Sequence, residues 1–304
     1  MMASSSSSGA PTCATTTCDP HATCSDAGGA PVCTCDPGYT GDGSTCAPLV
    51  GEPGLVIIEQ DRATTMGASV TLTLQEPLNL LVNPSAEAGN LSGWNVTLSG
   101  GNGWQAGVGD PPLHLFGAMM FFTSYAPSTK RQTIDLVAAG YSAAELDASP
   151  PIRAREWRHG GGYTTGDKYW LTIEVRDANN AVLASYTQGT PQSPLITQNA
   201  WQLAETTFAG YPAGARFVTF TDGGSDTEFW AGNYGVAMDA ASVSVGAMMM
   251  RFSNDGMAWS AWQPFASTAP WTLAAGTGTR TVYVEYQDAS GAIWSAVTDS
   301  IVVQ

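Results

Sequence analysis

At 304 residues the chain is long enough for two or three domains, and its composition, with 34 glycines, 10% aromatics and only 12% charged residues, fits a loop-rich, all-β, extracellular protein. The formal charge of −15, from 26 acidic against 11 basic residues, argues against nucleic acid or an anionic membrane as partner, because phosphate binding needs clustered Lys and Arg. No run approaches the roughly 18 apolar residues that would cross a bilayer, so no membrane insertion is expected.

Residues 1–12 open Met-Met-Ala-Ser-Ser-Ser-Ser-Ser-Gly and lack the apolar centre of a signal peptide. They read as a flexible Ser-rich linker, which makes a processed or truncated form the expectation, with the export signal not visible. All six cysteines follow between Cys13 and Cys46, spaced C-x4-C-x5-C-x8-C-x-C-x10-C. So short a segment cannot enclose an apolar core, and disulfides have to hold it. Zinc is the competing reading, but the Cys33-x-Cys35 pair and the lone His21 match no finger spacing, so no metal is expected. Spacing alone leaves fifteen pairings open. With Cys35-Asp-Pro-Gly-Tyr39-Thr-Gly41, the segment 13–46 resembles an EGF-like domain. That resemblance implies the pairs Cys13–Cys24, Cys18–Cys33 and Cys35–Cys46. Calcium-binding members carry acidic residues ahead of the first cysteine, where this chain has Gly9-Ala-Pro-Thr12, so no calcium site is expected. The module reads as a spacer or interaction knob.

Leu55-Val-Ile-Ile58 and Ala68-Ser-Val-Thr-Leu-Thr-Leu74 read as strands, but two strands are not a domain. The end of the chain supplies Met248–Phe252 running into a turn at Asn254-Asp-Gly256, then Trp259–Phe265, Pro270–Leu273, Arg280–Tyr286 and Asp299–Val303. Together these pieces resemble the Ig-like modules of secreted bacterial proteins. In those modules the two halves are separated by a short loop, and here they are separated by residues 78–246. The expectation is a split Ig-like sandwich, 55–77 plus 247–304, with a whole domain inserted at a loop. Trp259, Trp262 and Trp271 read as its core rather than as a second binding surface.

Within 78–246, Tyr169–Val175 and Ala181–Tyr186 flank the turn Arg176-Asp-Ala-Asn-Asn180 as a hairpin, and Tyr141–Leu146 suggests a short helix. The remainder is strands and loops, consistent with a jelly-roll-type antiparallel sandwich. The stretch Asp222–Gly235 holds Phe229, Trp230 and Tyr234 among glycines, with Asp222, Asp226 and Glu228 ahead of the Phe-Trp pair. Glycines allow such rings to project from a loop toward a flat, partly apolar ligand such as a sugar face. The plainer reading buries the same rings at a strand entry.

The pieces Asn83-Pro84…Gly93-Trp94, Gln132-x-Ile-Asp-Leu136…Gly140-Tyr141, Arg216-Phe-Val-x-Phe220…Asp226 and Trp230-Ala-Gly-x-Tyr-Gly235 resemble the F-box-associated (FBA) domain. This is the sugar-recognising, galactose-binding-like sandwich of certain F-box proteins, and the likeness spans about 79–246. In sugar-binding members, loops at one end of the sandwich grip the chitobiose core of N-glycans. The resemblance puts the stacking aromatics at Phe229, Trp230 and Tyr125, and an Asp-bearing loop at 158–165, here with His159 and Tyr163 but no matching Asp. A family lysine falls on Ala231. Stacking groups are kept and two polar anchors are lost, so the ligand is expected to differ from chitobiose or to be lost. No F-box precedes the domain, so no F-box or ubiquitin-ligase partner is expected.

Gly161-x4-Gly166-Asp-Lys168 fails as a phosphate loop, since Asp167 breaks the Gly-Lys ending and a strand follows where a helix is needed. The three histidines form no metal or catalytic pattern, and Asp222, Asp226 and Glu228 are the only carboxylates worth naming for glycosidase chemistry. Their plainer role is turn capping. The expectation is therefore a secreted or surface lectin-like protein without cofactor or catalysis. Its glycan, an N-glycan or other GlcNAc-containing chain, would sit on Trp230, Phe229, Tyr125, Tyr163, His159 and Asp226. The alternatives are an adhesion module without sugar binding and, behind it, a glycoside hydrolase or its accessory domain.

Overall fold

A computed structural model describes residues 12–26, 30–36, 39–41, 43–48, 54–108, 114–160, 166–228 and 231–304. Phe229, Trp230 and Tyr163 lie outside the described residues. The N-terminal cysteines form Cys13–Cys24, Cys18–Cys33 and Cys35–Cys46 disulfides, the pairing that the EGF resemblance implies. Two small antiparallel ribbons carry the module: β1 (Ala22–Ser25) with β2 (Val32–Cys35), and β3 (Tyr39–Gly41) with β4 (Cys46–Pro48). The Cys18, Cys24 and Cys33 sulfurs lie close together, but each is committed to a disulfide and so is not a metal ligand. After it come β5 (Leu55–Ile58), β6 (Thr64–Thr65) and β7 (Ser69–Gln75), whose alternating apolar residues Val56, Ile58, Val70, Leu72 and Leu74 are buried.

The chain divides into two compact units, one of residues 1–78 plus 248–304 and one of residues 79–247. The second unit is two antiparallel sheets. One sheet runs in the order β16 (Gln202–Phe208), β12 (Ile152–His159), β18 (Ala237–Val245), β10 (Met120–Phe122), β9 (Gln105–Gly107). The other runs β14 (Val182–Gln188), β13 (Lys168–Asp177), β17 (Ala215–Ser225), β11 (Ser128–Asp135), β8 (Asn95–Leu98), with β15 (Leu195–Ile196) on β13. Residues from both inner faces form one core, including Phe121, Ile134, Ala154, Leu171, Ile173, Val218, Phe220 and Val243. The expected hairpin forms because the Asp177 carboxylate accepts from the Asn179 and Ala181 amides, both at 2.8 Å, and Asn180 takes the left-handed conformation at φ 66°. The expected helix is α1 (Ala143–Asp147), started by a reciprocal Ser142–Glu145 capping box.

The residues that carry the family likeness are mostly scaffolding. Gln132 exchanges two hydrogen bonds with the backbone of Val82, at 2.9 and 2.8 Å. Asn83 accepts from Ala88 N and donates to Asn90 O, while the Trp94 indole donates to Asn83 O at 3.0 Å. Asn79 bridges Ala241 O and Val243 N, and Leu80 N donates to Val243 O, so the two ends of this unit are tied to each other.

At the centre of the core Lys130 and Asp222 form an ion pair, both side chains fully buried and directly opposite on β11 and β17. The Lys130 ammonium also lies 3.5 Å from the Trp94 ring centroid and 4.5 Å from that of Phe121. Asp222, considered above for glycosidase chemistry, is therefore a core counter-ion with no access to substrate.

The remaining strands are β19 (Met248–Ser253), β20 (Gln263–Pro264), β21 (Thr268–Thr272), β22 (Gly278–Asp288) and β23 (Val297–Val303). They complete the first unit: β21 pairs with β7, and β23 runs parallel to β6. Long-range bonds join the two segments, with Ile58 N donating to Asp299 at 2.7 Å and Tyr286 OH to Leu55 O at 2.8 Å. Met250, Phe252, Val282, Val284, Tyr286 and Ile301 share one core with Val56, Leu72 and Leu74. The expectation of a tryptophan core needs correction. Trp271 packs on Phe252 at 5.3 Å, but the Trp259 and Trp262 rings flank the Arg251 guanidinium at 4.9 and 4.5 Å and lie outside the buried cluster. Only Gln263–Pro264 of the expected 259–265 strand is extended in a sheet, since the i, i+3 tryptophans have to reach one cation. No helix among the described residues is long and apolar enough to cross a membrane.

Replacing Lys130 alone by Met leaves Asp222 buried without its cation and is expected to cost about 3–5 kcal/mol in urea unfolding. Converting the pair together, Lys130→Met with Asp222→Leu, should recover most of that loss.

Candidate functional site

Strand direction gathers the site. β12 ends at His159, β10 ends at Phe122 and β17 ends at Ser225, while β11, β13 and β18 begin at Ser128, Lys168 and Ala237. Antiparallel pairing of these strands puts all six termini at one end of the sandwich. The connections there are 123–127, 160–167 and 226–236. Tyr125, His159 and Asp226 are thus brought to the same end, and the segments that carry Tyr163 and the Phe229–Trp230 pair connect strands there.

Ser124 is the hub of this end. Its carbonyl accepts from Asp226 N at 2.9 Å, its hydroxyl donates to Gly232 O at 2.7 Å, and the same oxygen accepts from Asn102 N at 2.9 Å. Thr123 joins the same loop, donating through N to Val236 O at 3.2 Å and accepting from Gly235 N at 3.1 Å. Gly235 leaves no room for a side chain, since a Cβ there would collide with Thr123 Oγ1. Asn233 Nδ2 donates to Gly103 O at 2.7 Å and brings in the 100–104 turn. The half-buried Tyr125 ring lies over that turn, at the backbone of Gly101, which takes φ +60°. In the 231–236 segment Ala231 is exposed, and Tyr234 is 40% exposed.

His159 sits differently from the expectation of a ligand-facing ring. It is buried, its ring meets Trp201 edge-on at 5.4 Å between centroids, and Nδ1 has no hydrogen-bond partner among the described residues. Burial lowers its pKa, which favours the neutral imidazole. Asp226 also turns inward. It is buried, its Oδ1 accepts from Glu228 N at 2.7 Å, and its carboxyl meets that of Asp167. Glu228, by contrast, is exposed.

Sequence reading missed Asp167, Thr197, Ser124 and Trp201. The buried Asp167 accepts from Thr227 N at 3.3 Å through Oδ1, its backbone N–H donates to Thr197 Oγ1 at 2.9 Å, and its carbonyl accepts from Thr197 N at 2.9 Å. Thr227 Oγ1 donates to Gly166 O at 3.1 Å. The one sequence signal was the Gly166-Asp-Lys168 triplet, dismissed above as a failed phosphate loop. Gly166 is needed because a Cβ there would collide with Thr197 O. The arrangement offers aromatic faces and backbone groups on a braced loop platform, a set suited to binding.

A family model described as F-box associated region, FBA, matches residues 75–245, and an EGF domain model matches residues 13–46. F-box only protein 6 of Rattus norvegicus is 34% identical over 175 residues, covering 55% of this chain and 60% of that protein. F-box only protein 44 of Mus musculus is 32% identical over 177 residues, covering 55% of this chain and 68% of that one. The chain thus spans about 60% of the length of the first of these relatives. Among solved structures, TmCBM61 in complex with beta-1,4-galactotriose superposes with TM-score 0.36 at 14% identity, over 55% of this chain and 98% of that one. The CBM22-1 xylan-binding domain from Paenibacillus barcinonensis Xyn10C gives TM-score 0.33 at 13% identity, over 53% and 90%. Superpositions this loose say nothing about ligand. The expectation of no F-box or ubiquitin-ligase partner is overturned, because the relatives matched across this domain are themselves F-box only proteins. Over more than half its length, the chain belongs to the F-box associated (FBA) family, with an EGF domain ahead of the matched region.

Proposed function

We propose that the 79–247 domain is a lectin that holds a glycan, an N-glycan or other GlcNAc-containing chain, at its loop end without turning it over. The convergence of Tyr125 with the strand ends that flank residues 161–165 and 229–230 carries this reading, on a domain of the FBA family. Trp230, Phe229 and Tyr125 supply stacking faces in the proposal. Tyr163 is assigned to the ligand as well, and His159 acts through the Trp201 ring that it packs against. Asp226 holds the loop rather than the sugar. Stacking contributes about 0.5–1.5 kcal/mol per ring, so one site binds weakly, in the micromolar to millimolar range.

Catalysis finds little to work with among the named carboxylates. Asp222 is sealed in the core and Asp226 is buried against Asp167, so that of the three only Glu228 is exposed. The proposal extends to an Ig-like carrier formed by 55–77 and 247–304, and to display in an oxidising compartment, which the three disulfides support.

A glycan array with the full chain tests the reading. Trp230→Ala should abolish the signal with circular dichroism unchanged, and Tyr125→Ala should weaken it about 2–10-fold. Silence of the wild type on the array, with a protein captured in its place, would favour adhesion. Because Ala231 is exposed where sugar-binding relatives are expected to carry lysine, Ala231→Lys should raise affinity for chitobiose about tenfold by restoring a charged donor. Calorimetric titration with chitobiose measures it.

A further inference from the structure

Asp167 and Asp226 stand at the start of β13 and just past the end of β17, and between them they hold the segment leading to the aromatic loop. Thr227 N reaches Asp167 Oδ1 at 3.3 Å, Glu228 N reaches Asp226 Oδ1 at 2.7 Å, and the Thr227 hydroxyl reaches Gly166 O at 3.1 Å. Both carboxyl groups are buried, with Asp167 3% and Asp226 4% exposed. The charged groups that face Asp167 from the β17 side are Asp226 and Glu228, both acidic. Lys168 follows it on β13, Leu195, Ile196 and Thr197 bring no titrating group from the segment across, and the β12 and 123–127 sides bring His159 and Tyr125. Two carboxylates in contact away from water cannot both ionise without strong repulsion.

We propose that Asp167 and Asp226 share one proton, and that this carboxyl–carboxylate clasp positions Thr227 and Glu228, where the connection after β17 starts, so that the ligand is held well below neutral pH and poorly above it. The ligand arm of this statement rests on the glycan-binding reading above, while the clasp itself does not. Burial, followed by the charge of Asp226, raises the Asp167 pKa from 3.8 to about 7. With the folded value above the unfolded one, the stabilisation from the proton is complete below about 3.8 and is lost as pH rises through about 7. Protonated Asp167 donates to Asp226 while its other oxygen still accepts from Thr227. Ionised, it repels Asp226 and Glu228, and the start of the loop comes away from β13. Asp167 is a positioning residue here, acting on the ligand only through the loop.

The test follows hydrogen exchange at the Thr227 and Glu228 amides of the full chain from pH 5.5 to 8.5, corrected for intrinsic exchange, alongside chitobiose binding. Wild type should lose about tenfold in protection across neutrality, and affinity should fall in parallel. Asp167→Asn supplies a donor that does not titrate, so both profiles should become flat at the low-pH level. Asp226→Asn removes the neighbouring charge and should move the midpoint to lower pH, which covers the case in which Asp167→Asn fails to fold. A wild-type protection profile flat across this range, or an Asp167→Asn profile that still titrates like wild type, overturns the clasp. A titrating protection profile with no chitobiose bound at any pH and a silent glycan array upholds the clasp and sinks the glycan reading instead.

Discussion

A charged ammonium sealed from water sets the terms for the 79–247 sandwich. Burying Lys130 costs several kcal/mol of solvation, and that cost is offset only if a counter-ion and ring faces are held in place around it. Asp222 supplies the charge from the residue directly opposite on β17, and Trp94 and Phe121 supply the rings. The neighbouring Glu156 is buried too, and burial together with the charge of Asp222 raises its pKa well above the usual carboxylate range. Tyr169 OH donates to it at 2.7 Å. Burial thus favours the neutral form of Glu156 beside the Lys130–Asp222 pair, and that pair sits face to face in a single β11–β17 register. A slip of one residue in either strand would put Lys130 and Asp222 on opposite faces of the sheet.

That register reaches the loop end through β17 itself. Four residues beyond Asp222 comes Asp226, whose amide is fixed on Ser124 O and whose carboxyl meets Asp167. β17 lies between β13 and β11, so its end is held on both sides. The aromatic loop thus starts from a strand that the core cannot let move. Fixing the start of a binding loop before the ligand arrives lowers the ordering cost of binding, which matters most when each contact is weak.

What could be read in the sequence was local. The short β-branched run Leu55–Ile58 has the bounds of the strand itself, and Asp177 with Asn180 marked the hairpin because an Asx turn is a contact within a few residues. The disulfide pairing came from resemblance, since spacing leaves it open. Lys130 with Asp222, and Asp167 with Thr197 and Thr227, join residues 92, 30 and 60 positions apart. Periodicity carries no information about such pairs. Trp259 and Trp262 misled for a related reason, because their partner Arg251 is fixed by its β22 neighbour Glu285 at 2.7 Å and not by anything adjacent in sequence.

The same division explains why family membership says more about the platform than about its ligand. Asn83, Trp94 and Gln132, among the residues most telling of the family, satisfy backbone groups inside the fold, Trp94 and Gln132 buried and Asn83 half-buried with its amide committed to Ala88 N and Asn90 O. They can persist while the loop end changes. Ala231 is exposed, where a substitution disturbs none of these bonds. A substitution at an exposed position costs the fold little. The loop end is therefore carried by a frame whose own constraints, the buried ion pair above all, are indifferent to what the exposed loop positions become.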